Sequence, residues 1–177
     1  MGYWNSRGLR GSVLEDIINL TNELYESKGL ALIQKIPTPI KPIEIDNEKR
    51  VIKLAYFEKK STVDYIGAVQ GIPICFDAKE TNKKSIPIQN IHEHQIEFMK
   101  NFEKQGGVSF LVVYFSEFND YMFVPFDVLN EYYLDSLKGG RKSIPYKELD
   151  KTLSIKNSSG RYINYLETLN VYLNMKK

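Results

Sequence analysis

Two aspartates and one lysine lie close together in the chain, in two short apolar segments. Asp64 belongs to the segment 62–66 and Asp77 to the segment 72–78, with Lys79 two residues further on. Side chains at positions i and i+2 of a strand project from one face, so Asp77 and Lys79 are predicted to lie side by side. A hairpin between the two segments would bring Asp64 next to them. The sequence therefore predicts a cluster of two carboxylates and one ammonium group.

Such a cluster is suited to the metal-assisted hydrolysis of a phosphodiester bond. Carboxylate oxygens are hard ligands that suit Mg²⁺, and Mn²⁺ can substitute for it. A bound metal polarises the phosphate and lowers the pKa of a coordinated water. The ammonium group of Lys79 can orient that water and offset the charge that develops on the phosphate. We therefore predict that Asp64, Asp77 and Lys79 are catalytic.

The same spacing also fits a salt bridge between neighbouring strands on a solvated face, and taken alone it favours that interpretation. The surrounding residues change the balance. Along the second segment an apolar set alternates with a set that carries both charges: Ile74, Phe76 and Ala78, then Cys75, Asp77 and Lys79. A strand with one apolar face and one charged face favours a site, but a surface ion-pair cluster stays open as the alternative.

Two polar residues in predicted helices are further candidates. Gln95 lies on the apolar stripe of its helix, and a buried amide needs partners, which could be the backbone or a metal and its water. Glu15 can complete a capping box with Ser12 at the start of the first helix. It also leads a polar line with Asn19 and Asn22 at helical spacing, so we prefer a catalytic role for Glu15, alone or beside the capping role.

His92 and His94 are two residues apart in the same predicted helix. Residues on one face of a helix are three or four apart, so the two rings are predicted to lie on roughly opposite sides. A joint metal site is therefore not expected. The ordinary interpretation is that both are surface residues, although either could contact DNA or the adjacent loop.

The basic residues form three short clusters in polar or glycine-containing segments. Any one such pair is more often a solvated surface feature than a binding site. Several of them around one charged face favour a DNA-binding footprint. The clusters are Arg7 with Arg10, Lys83 with Lys84, and Arg141 with Lys142.

The elements that must position these residues follow from the apolar pattern. A first helix is predicted from Ser12 to about Gly29, and Gly67 and Gly71 are predicted to bracket the hairpin link. A polar loop is predicted for 81–89, and Asn90 is predicted to cap the helix that follows. The remaining predictions are strands at 30–36, 108–115 and 121–124, and helices at 91–105, 126–137 and roughly 162–175. This order predicts an α/β fold with a mixed sheet.

The segment 37–60 interrupts this order. Pro37, Pro39 and Pro42 exclude a helix and disfavour a central strand. We interpret the segment as an extended excursion that returns to the body of the protein. The segment 1–11 has no apolar period and is predicted to be a flexible arm.

The composition limits the classes of protein to which the chain can belong. A chain of 177 residues suits a single domain, and a net charge of +2 does not by itself indicate a nucleic-acid partner. The single cysteine, Cys75, excludes an intrachain disulfide and a zinc site built on two or more cysteines. Neither a signal peptide nor a membrane-spanning segment is recognised, so we expect a cytoplasmic protein with no membrane partner.

Several motifs resemble those of the RecU family of Holliday-junction resolvases. They are Ser61-Thr62-Val63-Asp64-Tyr65-Ile66-Gly67, Phe76-Asp77-Ala78-Lys79-Glu80-Thr81, His92-Glu93-His94-Gln95, Lys35-Ile36-Pro37-Thr38-Pro39, Gly106-Gly107 and Arg141-Lys142-Ser143-Ile144-Pro145. Together they cover roughly 8–146. The chain departs from the family pattern at position 77, where the usual acid is glutamate.

The resemblance implies a restriction-endonuclease-like core and a homodimer. It implies that Thr62, Asp64, Asp77 and Gln95 surround a Mg²⁺ ion, with Lys79 stabilising the transition state. The segment 37–60 would be a stalk that reaches into the open centre of a four-way DNA junction. The expected function is the resolution of such junctions by paired symmetric nicks during recombination and repair, with a recombinase as a further expected partner.

Other functions stay open at this point. One is a nuclease of a phage or mobile element that cuts duplex or flap DNA. Another is a non-catalytic DNA-binding recombination factor that keeps the fold but hydrolyses little. Cleavage of a panel of DNA structures, with and without divalent metal, separates these alternatives from the leading prediction.

Overall fold

The structure is a computed structural model that describes residues 13–58, 62–158 and 161–176. Its helices are α1 (Val13–Ser27), α2 (Glu93–Lys104), α3 (Phe126–Leu137) and α4 (Tyr165–Met175). Its strands are β1 (Leu32–Lys35), β2 (Ile40–Asp46), β3 (Val51–Phe57), β4 (Tyr65–Val69), β5 (Ile72–Thr81), β6 (Ser85–Pro87), β7 (Val108–Phe115), β8 (Asp120–Pro125), β9 (Ser143–Pro145), β10 (Ser154–Ile155), β11 (Asn157–Ser158) and β12 (Tyr162–Ile163). Short 3₁₀ turns span Ile88–Asn90, Tyr146–Glu148 and Lys151–Leu153.

The central feature is a six-stranded sheet in the order β1-β4-β5-β7-β8-β10. The pair β5 and β7 is parallel, and the other neighbouring pairs are antiparallel. A parallel pair needs a crossover, and α2 supplies it between β5 and β7. The architecture confirms the predicted α/β class, a mixed sheet flanked by helices.

The core lies on both faces of this sheet. On one face Tyr65, Phe76 and Phe110 stack in a row with ring centroids 4.8 and 4.9 Å apart, beneath α1 and α4. On the other face Cys75 and Leu111 pack with residues of α2 and α3. Burial on both faces explains why β5 and β7 have nearly continuous apolar runs.

The first hairpin differs from its prediction in extent. The strand predicted at 62–66 begins only at Tyr65, and β4 continues through Gly67 to Val69. Gly67 lies within β4, where β1 packs closely against it. A Cβ at this position would lie 2.2 Å from the carbonyl oxygen of Leu32, so the position requires glycine. The turn itself is formed by Gln70 and Gly71, both with positive φ.

The connection from β5 to α2 also differs from its prediction. The polar loop predicted at 81–89 contains β6, which pairs with β9. The helix predicted at 91–105 begins at Glu93, and His92 is the residue before it. Asn90 therefore ends a 3₁₀ turn and does not cap the helix. The pairing of β6 with β9 explains the error, because a contact between distant segments leaves no local signal.

Several predicted elements agree with the structure. Strand β7 and helix α3 have the predicted bounds, and β8 pairs antiparallel with β7 as expected. Helix α4 covers most of the predicted tail helix. The predicted flexible arm at 1–11 and the capping residue Ser12 lie outside the described residues. No helix in the described part of the chain is long and apolar enough to cross a membrane.

Strands β2 and β3 form an antiparallel hairpin that is a sheet of its own. Most of its side chains are exposed, including Ile45, Ile52 and Leu54. Lys53 forms ion pairs with Glu44 and Asp46 across the hairpin. The hairpin lies within the segment that the sequence suggested was an extended excursion, and its role as a stalk stays a prediction.

Candidate active site

The structure brings Asp64, Asp77 and Lys79 together. The backbone N–H of Asp64 donates to Oδ1 of Asp77 at 3.0 Å, and the backbone N–H of Ala78 donates to Oδ2 of Asp64 at 2.9 Å. The ammonium group of Lys79 pairs with Oδ2 of Asp77. Each carboxylate thus accepts a hydrogen bond from the backbone of the segment that carries the other carboxylate, and Lys79 lies beside Asp77.

The pairing of β4 with β5 explains this arrangement. Tyr65 is opposite Phe76, so the residue before Tyr65 meets the residue after Phe76. Asp64 lies at a bend just before β4, and Asp77 lies in the middle of β5 with no exposed side-chain surface. Burial of a carboxylate is costly unless it is paired, and here it is compensated by an ammonium group and hydrogen bonds.

Gln95 connects the start of α2 to the acidic pair. Its side-chain Nε2 donates to Oδ1 of Asp77 at 2.9 Å, and its Oε1 accepts from the backbone N–H of His92 at 3.0 Å. The opposite amide orientation would place donor against donor and acceptor against acceptor. The buried Gln95 therefore holds Asp77, and its predicted role as a metal ligand stays a prediction that requires its amide oxygen to leave His92.

The electrostatic environment disfavours two negative charges in this pocket. Burial, and after it the nearby carboxylate of Asp77, raises the pKa of Asp64 from 3.8 to about 6. The backbone N–H of Ala78 and the ammonium group of Lys79 act in the opposite direction. One cation faces two carboxylates, so the ionised site has a net negative charge that a divalent cation would offset.

The oxygens of the two acids also fit such a cation. Oδ2 of the buried Asp77 is held by the ammonium group of Lys79 and has no hydrogen bond within the described ranges. The donor set of Asp64 and Asp77, with the half-buried Thr62 two residues before Asp64, consists of hard oxygens that suit Mg²⁺ or Mn²⁺.

The protein would supply only part of the coordination shell. No group of three or more His, Cys, Asp or Glu residues that could hold a metal occurs among the residues the structure describes. Mg²⁺ usually retains several waters and is bound by one or two carboxylates together with substrate phosphate. A two-carboxylate site therefore fits a cation that is shared with the substrate.

The polar line on α1 is used in packing. The carboxylate of Glu15 lies 2.5 Å from Nζ of Lys35, and Oδ1 of Asn19 accepts from the hydroxyl of Tyr65 at 3.0 Å. Asn22 accepts from the hydroxyl of Tyr165. These bonds join α1 to the sheet and to α4. The predicted catalytic role of Glu15 stays a prediction.

Glu80 is a residue that the sequence analysis missed. Its Oε1 accepts from the backbone N–H of Leu14 at 2.7 Å, so a carboxylate from β5 satisfies a donor in the first turn of α1. The available signal was the position of Glu80 next to Lys79, on the opposite face of the strand. The bond fixes the start of α1 against the strand that carries Asp77.

The prediction that the rings of His92 and His94 lie on opposite sides of the helix is wrong. The rings of His92 and His94 stack with centroids 5.3 Å apart and planes 11° from parallel. His92 has extended backbone angles because it precedes the helix, so helical spacing does not apply to this pair. The two rings lie next to the start of α2, close to Gln95 in the chain.

The described basic clusters lie near one another. The backbone N–H of Ile88 donates to the carbonyl of Lys142 at 3.0 Å, and that of Tyr146 donates to the carbonyl of Lys84 at 2.9 Å. The ribbon of β6 and β9 therefore joins the segments that carry Lys83 with Lys84 and Arg141 with Lys142. Lys84 pairs with Glu117, and Arg141 pairs with Glu148. Arg7 and Arg10 lie outside the described residues, and DNA binding by these six residues stays a prediction.

Asp64 is expected to make the metal-free protein less stable as the pH rises. Because its pKa is raised, the folded state holds a proton more tightly than the unfolded state, so the free energy of unfolding falls between about pH 4 and pH 6. The difference between 3.8 and about 6 corresponds to roughly 3 kcal/mol. Above pH 6, Mg²⁺ should restore the loss because it binds the ionised form. Urea unfolding at several pH values, with and without Mg²⁺, measures both effects.

A pair of variants tests the assignment of this effect. Asp64→Asn should remove most of the pH dependence and the stabilisation by Mg²⁺. Asp16→Asn changes an exposed acid on α1 and should leave both unchanged. Equal loss of stability in Asp64→Asn and the parent across this pH range would show that another group titrates.

The fold and the site together indicate the class of protein. A mixed sheet that brings two carboxylates and a lysine together has the groups that the hydrolysis of a phosphodiester bond with a divalent metal would use. The chain belongs to the RecU family, whose model, described as Recombination protein U, matches residues 9–171. The resemblance noted from the motifs is thereby confirmed.

Several related proteins match this chain in sequence over most of its length and of theirs. A relative from Geobacillus sp. (strain WCH70) is 43% identical over 148 residues, which are 81% of this chain and 74% of that protein. A relative from Lactococcus lactis is 42% identical over 168 residues, 92% of this chain and 78% of that protein. One from Bacillus subtilis (strain 168) is 44% identical over 147 residues, 81% and 70% of the two chains. Each is named Holliday junction resolvase RecU.

One solved structure shows a weaker similarity to this chain. It is that of Archaeoglobus fulgidus Hjc, a Holliday junction resolvase from an archaeal hyperthermophile. The TM-score is 0.40 and the sequence identity 11%, over 66% of this chain and 78% of that chain. The two proteins are too distant for any detail of Hjc to be transferred to this chain.

Proposed function

We propose that this protein is a Mg²⁺-dependent endonuclease that resolves four-way DNA junctions by paired symmetric nicks in recombination and repair. Membership of the RecU family and the names of its relatives support the substrate. The observation that carries the chemistry is the contact between Asp64, Asp77 and Lys79 across two adjoining strands. Mn²⁺ is expected to substitute for Mg²⁺.

Each residue of the site has a part in this proposal. Asp64 and Asp77 hold the divalent ion, with oxygens from Thr62 and Gln95 as further ligands. When bound, the ion polarises the scissile phosphate and lowers the pKa of the attacking water. Lys79 donates from its ammonium group to the phosphate oxygen on which negative charge develops. The hydrogen bond from Gln95 to Asp77 sets the direction of that carboxylate before substrate arrives.

Symmetric cleavage calls for two sites. A four-way junction has approximate two-fold symmetry, so a homodimer with a two-fold axis would present one site to each of two related strands. Lys83, Lys84 and the Arg141–Lys142 pair would contact the phosphate backbone, and binding should weaken as salt rises. The exposed hairpin of β2 and β3 would act as the stalk at the centre of the junction. A recombinase is proposed as a further partner.

Cleavage of labelled DNA, with and without divalent metal, tests the function. A four-way junction should be nicked at two symmetric positions only when Mg²⁺ or Mn²⁺ is present. Duplex, flap and single-stranded DNA of the same sequences should be cut much more slowly. Preferred cleavage of flap or duplex DNA would indicate a nuclease with another target. Binding without cleavage at any concentration of either metal would indicate a non-catalytic DNA-binding factor.

A further inference from the structure

A cleft lies at the carboxyl ends of β5 and β7, and it is lined by Glu80, three residues after Asp77 in β5. Its volume is about 340 Å³, which lies within the range of about 300 to 1,000 Å³ that is usual for pockets that hold small organic groups. Two arms of the connection between β5 and α2 form its walls. One arm continues directly from Lys79, and the other leads through His92 to Gln95. Both walls are therefore linked to the residues that surround the acidic pair.

The floor of the cleft consists of groups that already have partners. Glu80 accepts from the backbone of α1, as described above. The hydroxyl of Tyr114 donates to Asn119 at 3.0 Å, and the hydroxyl of Ser116 donates to the carbonyl of Thr81 at 3.3 Å. These contacts give the cleft a fixed frame.

The walls present a different set of groups. Asn82, Gln89 and Asn90 line the cleft and are exposed, and within the described part of the chain their side chains have no hydrogen-bond partner. Each amide offers both a donor and an acceptor. Lys83 is also exposed at the cleft, and its ammonium group forms no ion pair with a described residue. The lining thus combines three neutral amides, one ammonium group and the exposed carboxylate of Glu80. A nucleotide fits this set when its base takes the amides and its phosphate takes the ammonium group of Lys83.

Both arms that carry these amides are held in place. The hydroxyl of Thr81 donates to the carbonyl of Ser85 at 3.3 Å and accepts from the backbone N–H of Lys83 at 3.1 Å. The 3₁₀ turn that contains Gln89 and Asn90 is closed by a bond from Ile91 to Ile88 at 2.9 Å. Groups that are ordered before binding lose less entropy when a ligand arrives.

We propose that this cleft binds a nucleobase of the DNA strand that is cut, and that the amides of Asn82, Gln89 and Asn90 read its edge. Paired hydrogen bonds from Asn or Gln amides are a common means of recognising a base. The cleft would give the enzyme a preference for particular bases near the scissile phosphate. This inference rests on the proposed function, since it needs a DNA substrate at the neighbouring acidic pair.

The test uses junctions that differ only in the base at each position around the cut. Relative kcat/KM is measured by competition with Mg²⁺, and relative affinity by competition binding without divalent metal. Gln89→Ala and Asn90→Ala should each reduce the preference at one position by about tenfold. Lys83→Ala should weaken binding to all sequences alike, because phosphate contacts carry no sequence information. Gln105→Ala removes an exposed amide at the far end of α2 and is the matched control.

The outcomes separate this inference from the proposed function. If the wild type cuts junctions but treats all bases equally, or if Gln89→Ala and Asn90→Ala keep its ranking, the base-reading role is overturned while the nuclease assignment stands. If no junction is cut at all, the proposed function fails, and the binding competition still decides the role of the cleft. If an alanine variant does not fold, Gln89→Glu or Asn90→Asp is measured in its place, and it should change the preferred base.

Discussion

Asp77→Asn is expected to lower the rate of junction cleavage by at least about a thousandfold while junction binding persists. The asparagine oxygen can still accept from Gln95 and from the backbone of Asp64, so the fold around the site should survive. The substitution removes a formal charge from the pair that would hold the divalent ion. Cleavage of a labelled junction under single-turnover conditions, beside a gel-shift measurement of affinity, gives the two readouts.

The control for this experiment is another aspartate. Asp16→Asn removes the same charge from an exposed position on α1 and should cleave as fast as the parent. Thermal unfolding shows whether Asp77→Asn is folded. Full nicking by a folded Asp77→Asn protein would remove the proposed mechanism.

Lys79→Met is expected to slow cleavage by about a hundredfold or more, because it removes the donor proposed to stabilise charge on the phosphate. A second effect distinguishes this lysine from a merely structural one. Lys79 lowers the pKa of Asp64, so its loss should move the rising limb of the pH–rate profile to higher pH. Cleavage rates measured between pH 5.5 and pH 9 at one fixed Mg²⁺ concentration below saturation report both changes, because saturating Mg²⁺ would hold Asp64 in its ionised form.

An exposed lysine on α2 provides the comparison for Lys79→Met. Lys100→Met should retain both the rate and the pH profile of the parent. A normal rate in Lys79→Met would contradict the catalytic role. A lower rate with an unchanged pH profile would retain that role but contradict the proposed electrostatic influence on Asp64.

The sequence was a good guide wherever one local pattern determined the structure. Strand β7 is apolar throughout because both of its faces are buried, and its predicted bounds agree with the structure. The alternation along β5 correctly placed Asp77 and Lys79 on one side. Gln95 was recognised because a polar side chain on an apolar stripe requires a partner, and the structure supplies Asp77.

The wrong prediction for Asn90 and the missed role of Glu80 both involve contacts between distant segments. The capping role of Asn90 was inferred from local preference, but Asn90 ends a 3₁₀ turn whose first residue, Ile88, is bonded to the carbonyl of the distant Lys142. The bond from Leu14 to Glu80 joins residues 66 positions apart and has no local signature. The stacking of His92 on His94 was missed for a local reason, because the helix was predicted to begin at residue 91 and it begins at Glu93.

The hairpin of β2 and β3, the proposed stalk, lies apart from the residues proposed to do the chemistry. Among the described residues its two strands pair only with each other, and the hairpin lies between β1 and β4 in the chain. Its length and surface can therefore diverge among homologues, or be exchanged by engineering, without moving the carboxylates at the start of β4 and within β5. Selection could thus retune which branched DNA is engaged while leaving the hydrolytic step untouched.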